Sequence, residues 1–301
     1  MVNIKTLEQT LKANEFAITA EIPAPISASA SEIEEKIDLL TGHVHAINVT
    51  DNPGATAHMS SLAGCSIVRN KGIDPIFQVT CRDRNRLAIQ SDLMGASALG
   101  INNVLTLAGD PVKNGDHPDA KAVFDINSKK ILSIMQSMND HGETMSGRQL
   151  QTKSNFFAGG AAIIHEPENN WDPVALKDKV TQGAKFIQTQ FCYDADLLRN
   201  YMKHIVDSGL SEKLFFIIGI GPLKSDKSAK WMRDKLFGTV IPDAIIKRME
   251  QAENQMQEGI NICAELINQF EEIDGVHGVH LMAPRNLSAI APTVTKSSIK
   301  I

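Results

Sequence analysis

Two carboxylates that could act in catalysis lie where predicted strands end. Glu21 is a lone acid in the apolar segment TAEIPAP, and Asp110 follows Gly109 in LAGDP. Burial at a strand end would raise the pKa of Glu21 and keep a proton available near neutrality, which suits a general acid. An exposed carboxylate at a loop start, or a helix cap, is the alternative. Gly109 would let a flat ring approach Asp110, although Gly–Asp–Pro is equally suited to a plain turn.

Amide side chains form a second group of candidates. Gln188 and Gln190 lie two residues apart in IQTQF and therefore share one face of a predicted strand, and Gln78 lies near the end of another. A side-chain amide can both donate and accept at the edge of a ring, although one of the pair could simply line the interior of the fold. Gly160 in NFFAGGAAI allows close backbone approach to a ligand, or marks a bulge.

No metal site is predicted. The four cysteines are far apart, form no CxxC pair and have no histidine at zinc-ligand spacing, so we expect buried, reduced thiols. The nine histidines form no ligand cluster, and His165, His277 and His280 are interpreted as local polar or packing residues.

These candidates are positioned by an alternation of strands and helices. Short β-branched runs, each followed by a turn and a helical pattern, predict parallel strands. Their number and order favour an α/β fold of the closed (β/α)8 TIM-barrel type, with an open doubly wound sheet as the alternative. A barrel forms its active site at the C-terminal ends of its strands, where the acids and amides lie. The predicted strands are Phe16–Ile22, Ala46–Thr50, Pro75–Cys81, Val104–Ala108, Asn155–Ile163, Lys185–Gln190, Leu214–Ile220 and Gly278–Ala283.

No linker, repeat or change of composition divides the chain, so residues 1–301 are predicted to form a single domain. Two additions to the barrel are expected. One is an N-terminal helix over Ile4–Ala13, and the other is a helix that begins at Ile241–Pro242, after the seventh strand. The tail from Asn286 to Ile301 is interpreted as irregular.

Composition narrows the class of partner. The net charge of −5 and the pI near 6.0 give no general electrostatic reason to bind nucleic acid, and CRDRNR is interpreted as a helix start that carries ion pairs. No apolar stretch approaches the length of a membrane span or a signal sequence, so we expect no membrane association and a soluble, cytoplasmic protein. We also expect a homo-oligomer, assembled through outer helices.

Six segments together resemble methylenetetrahydrofolate reductases. TAEIPAP, NVTDNPGAT, FQVTCRDRNR, LTLAGDP, GAKFIQTQF and GVHLM occur in the order of that family and extend over most of the chain, from Glu21 to Arg285. The resemblance implies one FAD-binding (β/α)8 domain and a hydride transfer that interconverts 5,10-methylene- and 5-methyltetrahydrofolate. It also implies that nicotinamide and tetrahydrofolate take turns at one face of the flavin.

The resemblance assigns roles on the folate side. Glu21 would protonate the folate as the methylene bridge opens, and Asp110 would lie beside the flavin and the pterin. Gln190 would contact the pterin, where an amide suits the donor and acceptor edge of the ring. Arg285 would pair with the glutamate tail of the folate, although the arginine of the family falls one position later.

On the flavin side the sequence departs from the family. Gln78 replaces a histidine found in better-known bacterial members, Ala108 replaces an arginine, and Ala175 and Asp178 replace an asparagine and an arginine. The electron donor is therefore left open. The FAD contacts that the resemblance implies are Thr50, Gln78, Ala108, Gly109, Asp110, Gly160, Asp172 and Lys179.

Three readings of the function stay open. The first is the folate oxidoreductase that the resemblance implies. The chain has no GxGxxG after its first strand, and this fits NAD(P)H that binds directly at the flavin and equally fits electron exchange with a partner protein. A flavin-binding subunit that only relays electrons is a second reading. A non-redox barrel lyase is the third, but its Schiff-base form needs a lysine at a strand end, and Lys185 begins a strand.

Overall fold

Eight parallel strands close into a barrel in sequence order, with β1 paired to both β2 and β8. This computed structural model describes residues 5–168 and 171–301. The predicted strands and the (β/α)8 fold are confirmed, with strand ends shifted by one or two residues. The strands are β1 (Ala17–Ile22), β2 (Ala46–Val49), β3 (Asp74–Thr80), β4 (Asn103–Leu107), β5 (Phe157–Ala162), β6 (Phe186–Phe191), β7 (Phe215–Ile220) and β8 (Val276–Leu281).

Helices cover the outside of the barrel, and one lies at its N-terminal end. Each α/β unit buries apolar residues such as Ile33, Leu93 and Ile205 between helix and sheet. The helices of the described part are α1 (Leu7–Lys12), α2 (Ser31–Asp38), α3 (Ser61–Asn70), α4 (Arg86–Ala98), α5 (Ser128–Asp140), α6 (Val174–Thr181), α7 (Ala195–Asp207), α8 (Asp226–Lys235), α9 (Asp243–Gln251), α10 (Gln255–Glu271) and α11 (Ile290–Lys296).

Both predicted additions are present. The N-terminal helix is α1, although Ile4, with which the predicted helix begins, lies outside the described residues. The helix predicted at Ile241–Pro242 is α9, with Pro242 as its N-cap. The irregular tail predicted from Asn286 was wrong, because it contains α11. Pro and β-branched residues give that segment poor helix propensity, but packing overrides it, since Ile290 and Val294 are buried.

The interior of the barrel changes character from bottom to top. At the N-terminal ends of the strands, Leu7 and Leu11 of α1 close an apolar plug in which the rings of Phe157 and Phe186 stack at 5.3 Å. Gly159 makes room for this plug, because a Cβ there would lie 2.3 Å from the Phe186 ring. Further up, the inward-facing residues become polar. The alternation of β1 therefore places Ala17 in the plug and Glu21 at the opposite, C-terminal end.

The four cysteines are buried and unbridged, as predicted. In the described ranges, no group of three His, Cys, Asp or Glu side chains is arranged to hold a metal ion. None of the described helices is long and apolar enough to cross a membrane.

Candidate active site

A cavity of about 610 Å³ opens at the C-terminal ends of the strands, the position at which barrels of this type carry out chemistry. Its polar residues come from four different strands and converge on one side. Its opposite side is aliphatic, formed by Leu105 and Leu107 of β4 with Ala161 and Ala162 of β5, and α6 completes the wall. The polar residues from the strands are Glu21, Gln78, Gln188, Thr189, Gln190 and His280.

Glu21 is held from two sides at the floor of this cavity. Gln78 Nε2 donates to Glu21 Oε2 at 2.7 Å, and His280 Nε2 lies 3.8 Å from the same oxygen. The side chain keeps 27 % of its surface exposed. The sequence therefore placed both Glu21 and Gln78 where a ligand in the cavity can reach them.

The expected direction of the Glu21 pKa was wrong. Burial raises the pKa of this carboxyl, but His280, whose Nε2 lies 3.8 Å away, and the hydrogen bond from the Gln78 amide outweigh burial and bring the pKa below its ordinary value. Sequence alone gave the burial but not the two partners, which come from β3 and β8.

His280 is part of a buried polar layer beneath Glu21 that sequence reasoning missed. Its Nδ1 lies 2.9 Å from Thr19 Oγ1 and 3.3 Å from Gln188 Nε2. Gln188 in turn exchanges hydrogen bonds with Asn48. The sequence signal that could have indicated this layer is the two-residue period of a strand. It places Thr19 on the same face as Glu21, and Gln188 on the same face as Gln190.

Gln190 lines the cavity beside Gln188, so the predicted shared face is confirmed. Its Oε1 accepts a hydrogen bond from Phe191 N at 3.0 Å. Its Nε2 group has no partner among the residues that the structure describes. A free amide donor at the cavity wall is what recognition of a polar ring requires.

Lys179 of α6 provides a cation on the opposite wall. Its stem lies against β5 at Gly160, where a Cβ would be 3.1 Å from Lys179 Cδ and Cε. In the described part of the chain no carboxylate lies within ion-pair distance of Lys179, since the neighbouring Asp178 pairs with Lys129 at 2.6 Å. Burial lowers the pKa of Lys179, and the charge of Lys129 lowers it further. A half-buried cation without a counter-charge suits a phosphate.

Asp172 also lines the cavity but is exposed, and Lys177 donates to it at 2.5 Å. Above it lies an aromatic cluster that the sequence did not indicate. Trp171 packs 5.0 Å from the His165 ring and 5.2 Å from the Tyr201 ring. These residues come from separate segments, so only the fold brings them together.

Several predicted site residues lie outside this cavity. Thr50 is buried and accepts from Ala24 N at 3.2 Å. Asp110 is exposed, and its Oδ2 accepts from Gly54 N at 2.8 Å. The other four are Ala108, which is exposed, Gly109, which has a φ of +93°, Gly160, which is buried against the Lys179 stem, and Arg285, which is exposed beyond β8 with a φ of +58°.

A buried arginine fixes the loop that carries Asp110. Arg82 is 2 % exposed and donates to both carboxylate oxygens of Asp83, at 2.7 and 2.8 Å. The same guanidinium donates to Asn52 O at 3.0 Å and to Asp110 O at 3.2 Å. The CRDRNR segment does carry ion pairs ahead of α4, as predicted, but sequence reasoning missed that Arg82 joins the loops after β2, β3 and β4.

The closed barrel and its strand-end cavity, with an acid, amides and an imidazole at one side, define a TIM-barrel enzyme. The chain belongs to the methylenetetrahydrofolate reductase family, whose sequence pattern matches residues 6–298.

Comparison with curated relatives supports this assignment. Methylenetetrahydrofolate reductase 2 of Schizosaccharomyces pombe is 26 % identical over 81 % of this chain and 39 % of its own length. Methylenetetrahydrofolate reductase (NADH) 1 of Zea mays is 24 % identical over 92 % of this chain and 48 % of its own length. The chain thus spans less than half the length of these relatives.

Solved structures share the fold. An uncharacterized protein from Clostridium thermocellum, described as binding two copies of 5-methyl-5,6,7,8-tetrahydrofolic acid, superposes with a TM-score of 0.66 at 16 % identity, over 96 % of this chain and 98 % of the other. EDTA monooxygenase from Chelativorans sp. BNC1 gives a TM-score of 0.58 at 9 % identity, over 95 % of each chain. At these identities the likeness shows the barrel architecture alone.

Proposed function

We propose that this chain is a flavin-dependent oxidoreductase that interconverts 5,10-methylene- and 5-methyltetrahydrofolate, with Glu21 as general acid. The observation that carries the proposal is Glu21 itself, an acid held by Gln78 and His280 at the floor of a strand-end cavity. Family membership and the names of the relatives support a folate reductase. The folate bound by the Clostridium thermocellum protein supports the substrate class.

The surroundings of Glu21 suit a proton donor whose charge state changes during turnover. A substrate that fills the cavity removes the remaining exposure of the carboxyl, and this added burial raises its pKa and favours the protonated form. The carboxyl then gives its proton to a folate nitrogen as the methylene bridge opens to an iminium. Gln78 and His280 stabilise the carboxylate that is left, because both hydrogen-bond best to the charged form.

Other residues would hold the folate. Gln190 offers its free amide donor to the pterin. Asp110 is fixed by Gly54 N through one oxygen, which leaves its second oxygen to accept from the ligand. Arg285, exposed at the end of β8, would attract the carboxylates of the glutamate tail.

The residues on the α6 side fit FAD. Lys179 lacks a counter-charge among the described residues and suits the phosphates, and Asp172 offers acceptors to the ribityl hydroxyls. The aliphatic wall of β4 and β5 suits a ring face. When bound, a flavin would supply the hydride transfer while the barrel orients it. Further contacts would come from Thr50, Gln78, Ala108, Gly109 and Gly160.

A test that does not depend on the donor is anaerobic reoxidation. The purified protein is loaded with FAD, reduced with dithionite, mixed with 5,10-methylenetetrahydrofolate and followed by flavin absorbance. Glu21→Gln should bind FAD normally but slow reoxidation by about 10²- to 10⁴-fold, the contribution of general acid catalysis. Glu32→Gln, the same change on the exposed start of α2, is the control. Reoxidation of Glu21→Gln at the wild-type rate would remove the acid role.

The same measurements separate the alternatives. A protein that takes up no FAD would support the lyase reading. A flavoprotein that reacts with neither form of the folate would support a relay subunit. Bleaching by NADH or NADPH identifies a nicotinamide donor, and bleaching only by 5-methyltetrahydrofolate indicates the oxidative direction with a partner protein as acceptor.

A further inference from the structure

Two buried amides face each other across the barrel one layer below Glu21. Asn48 of β2 and Gln188 of β6 are 0 % and 2 % exposed. Asn48 Nδ2 donates to Gln188 Oε1 at 2.7 Å, and Gln188 Nε2 donates back to Asn48 Oδ1 at 3.1 Å. This reciprocal pair fixes the orientation of the Gln188 amide, so that its nitrogen faces β1 and β8.

The remaining hydrogen of that nitrogen is directed at Thr19 and His280. Gln188 Nε2 lies 3.1 Å from Thr19 Oγ1 and 3.3 Å from His280 Nδ1, and Thr19 Oγ1 lies 2.9 Å from the same Nδ1. The Gln188 N–H is shared between Thr19 Oγ1 and Nδ1. The Thr19 hydroxyl also lies 3.4 Å from Val279 O, but its contact with Nδ1 is shorter, so the arrangement is best satisfied when Nδ1 accepts. The proton of the neutral imidazole is then on Nε2, the nitrogen that faces Glu21 Oε2 at 3.8 Å.

This polar layer needs an explanation because it replaces the packing that a barrel ordinarily uses. Interior layers of such barrels are dominated by Val, Ile and Leu, as Leu105 and Ile217 illustrate in this chain. Buried amides add stability only when every donor and acceptor is satisfied. An apolar layer has no donors or acceptors to satisfy, so packing alone does not require the amides. An orienting role toward Glu21 accounts for their presence.

We propose that Gln188, oriented by Asn48, is a positioning residue that fixes His280 in the tautomer whose Nε2–H faces Glu21. The proposal rests on the acid role of Glu21 in the proposed function. An Nδ1–H would compete with the Gln188 N–H for the Thr19 hydroxyl oxygen. The amide therefore keeps the imidazole hydrogen on Nε2, where it faces the carboxyl that the reaction uses.

Few other charged or titratable groups face Glu21 and His280. The strands that pack against it contribute the neutral side chains of Asn48, Gln78, Gln188 and Gln190. The remaining titratable residues of the cavity lie on its far wall, and they are His165, Asp172, Lys179 and Tyr201. A shift in the pH profile on changing Gln188 therefore reports on Glu21 and His280.

The tautomer can be observed directly in the FAD-loaded protein. Nitrogen-15 NMR of histidine side chains distinguishes the Nδ1–H, Nε2–H and doubly protonated forms, and His280→Gln identifies the signals of residue 280. We expect the neutral imidazole of the wild type to be the Nε2–H form. A spectrum in which the neutral imidazole is the Nδ1–H form would overturn the proposal, whether or not Glu21 acts as the acid and whether or not any variant folds.

Kinetics tests the consequence. Gln188→Leu removes the N–H at similar size, so the neutral imidazole can carry its hydrogen on Nδ1 and turn a bare Nε2 toward Glu21. The pH profile of flavin reoxidation by 5,10-methylenetetrahydrofolate should shift, with a loss of roughly tenfold at neutral pH, part of the contribution of general acid catalysis. Gln188→Glu, which accepts from Nδ1–H, should shift the profile further. Variants that lose thermal stability but keep the wild-type pH profile would show that the amide pair is only structural.

Discussion

Lys179 gives the sharpest test of where the cofactor binds. Lys179→Met removes the charge but keeps an unbranched stem that can lie over Gly160, so the wall of the cavity is preserved. If Lys179 holds a phosphate of FAD, the variant should bind FAD more weakly and otherwise fold normally. Folding itself should change little, because among the described residues Lys179 forms no ion pair that the substitution would break.

The magnitude follows from the kind of contact. A hydrogen bond to a charged group contributes about 1.5–3 kcal/mol, which corresponds to a loss of roughly 10- to 150-fold in affinity. The lower half of this range is the better expectation, because Lys179 is only half-buried. Since its pKa is lowered, the cation is lost at a lower pH than for an ordinary lysine. FAD affinity should therefore fall on the alkaline side in the wild type and not in Lys179→Met.

The assay is titration of the apoprotein with FAD, followed by flavin fluorescence at several pH values. Lys185→Met makes the same charge change at the N-terminal end of β6, far from the cavity, and should bind FAD as the wild type does. A Kd of Lys179→Met within twofold of the wild-type value would show that the phosphates lie elsewhere and would refute the assignment of α6 to the cofactor.

Variants at two further residues test the loops above the barrel. Asp110→Ala removes the acceptor of Gly54 N and should lower the free energy of unfolding by about 1 kcal/mol in urea denaturation. Asp110→Asn keeps an acceptor for Gly54 N. A loss of folate turnover in Asp110→Asn therefore reports on the carboxylate charge. An equal loss of stability in both would exclude the hydrogen bond as its source. Arg82→Met should cost about 2–3 kcal/mol by the same assay, below the range for a fully buried ion pair because Asp83 is partly exposed, and a loss under about 1 kcal/mol would disprove the clamp.

The fold was predictable because its signal is local and repeated. Each strand is a short apolar run, and helix caps such as Asn85 and Asp194 mark where the following helices begin. The segment at Ile290–Lys296 was missed for the opposite reason. Its local sequence disfavours a helix, and only burial of its apolar residues in the assembled fold makes it one.

The site was predictable only where strand position decides it. Glu21, Gln78 and Gln190 reach the cavity because each lies on an inward face near a strand end. The partners that set their properties come from distant strands, so the pKa of Glu21 could not be assigned without His280. Arg82 was missed because its acceptors include two backbone carbonyls, which leave no trace in sequence.

Gln78 connects the departure from the family pattern with the chemistry of the acid. At the position where the resemblance places a histidine in better-known bacterial members, this chain has the neutral amide of Gln78. That amide donates to Glu21 at 2.7 Å at every pH. A neutral histidine at that position would donate only in the tautomer whose N–H faces Glu21. Among the described residues, His280 is then the one imidazole that contacts the carboxyl. The residues that fix the tautomer of His280 therefore decide which of its nitrogens faces the acid.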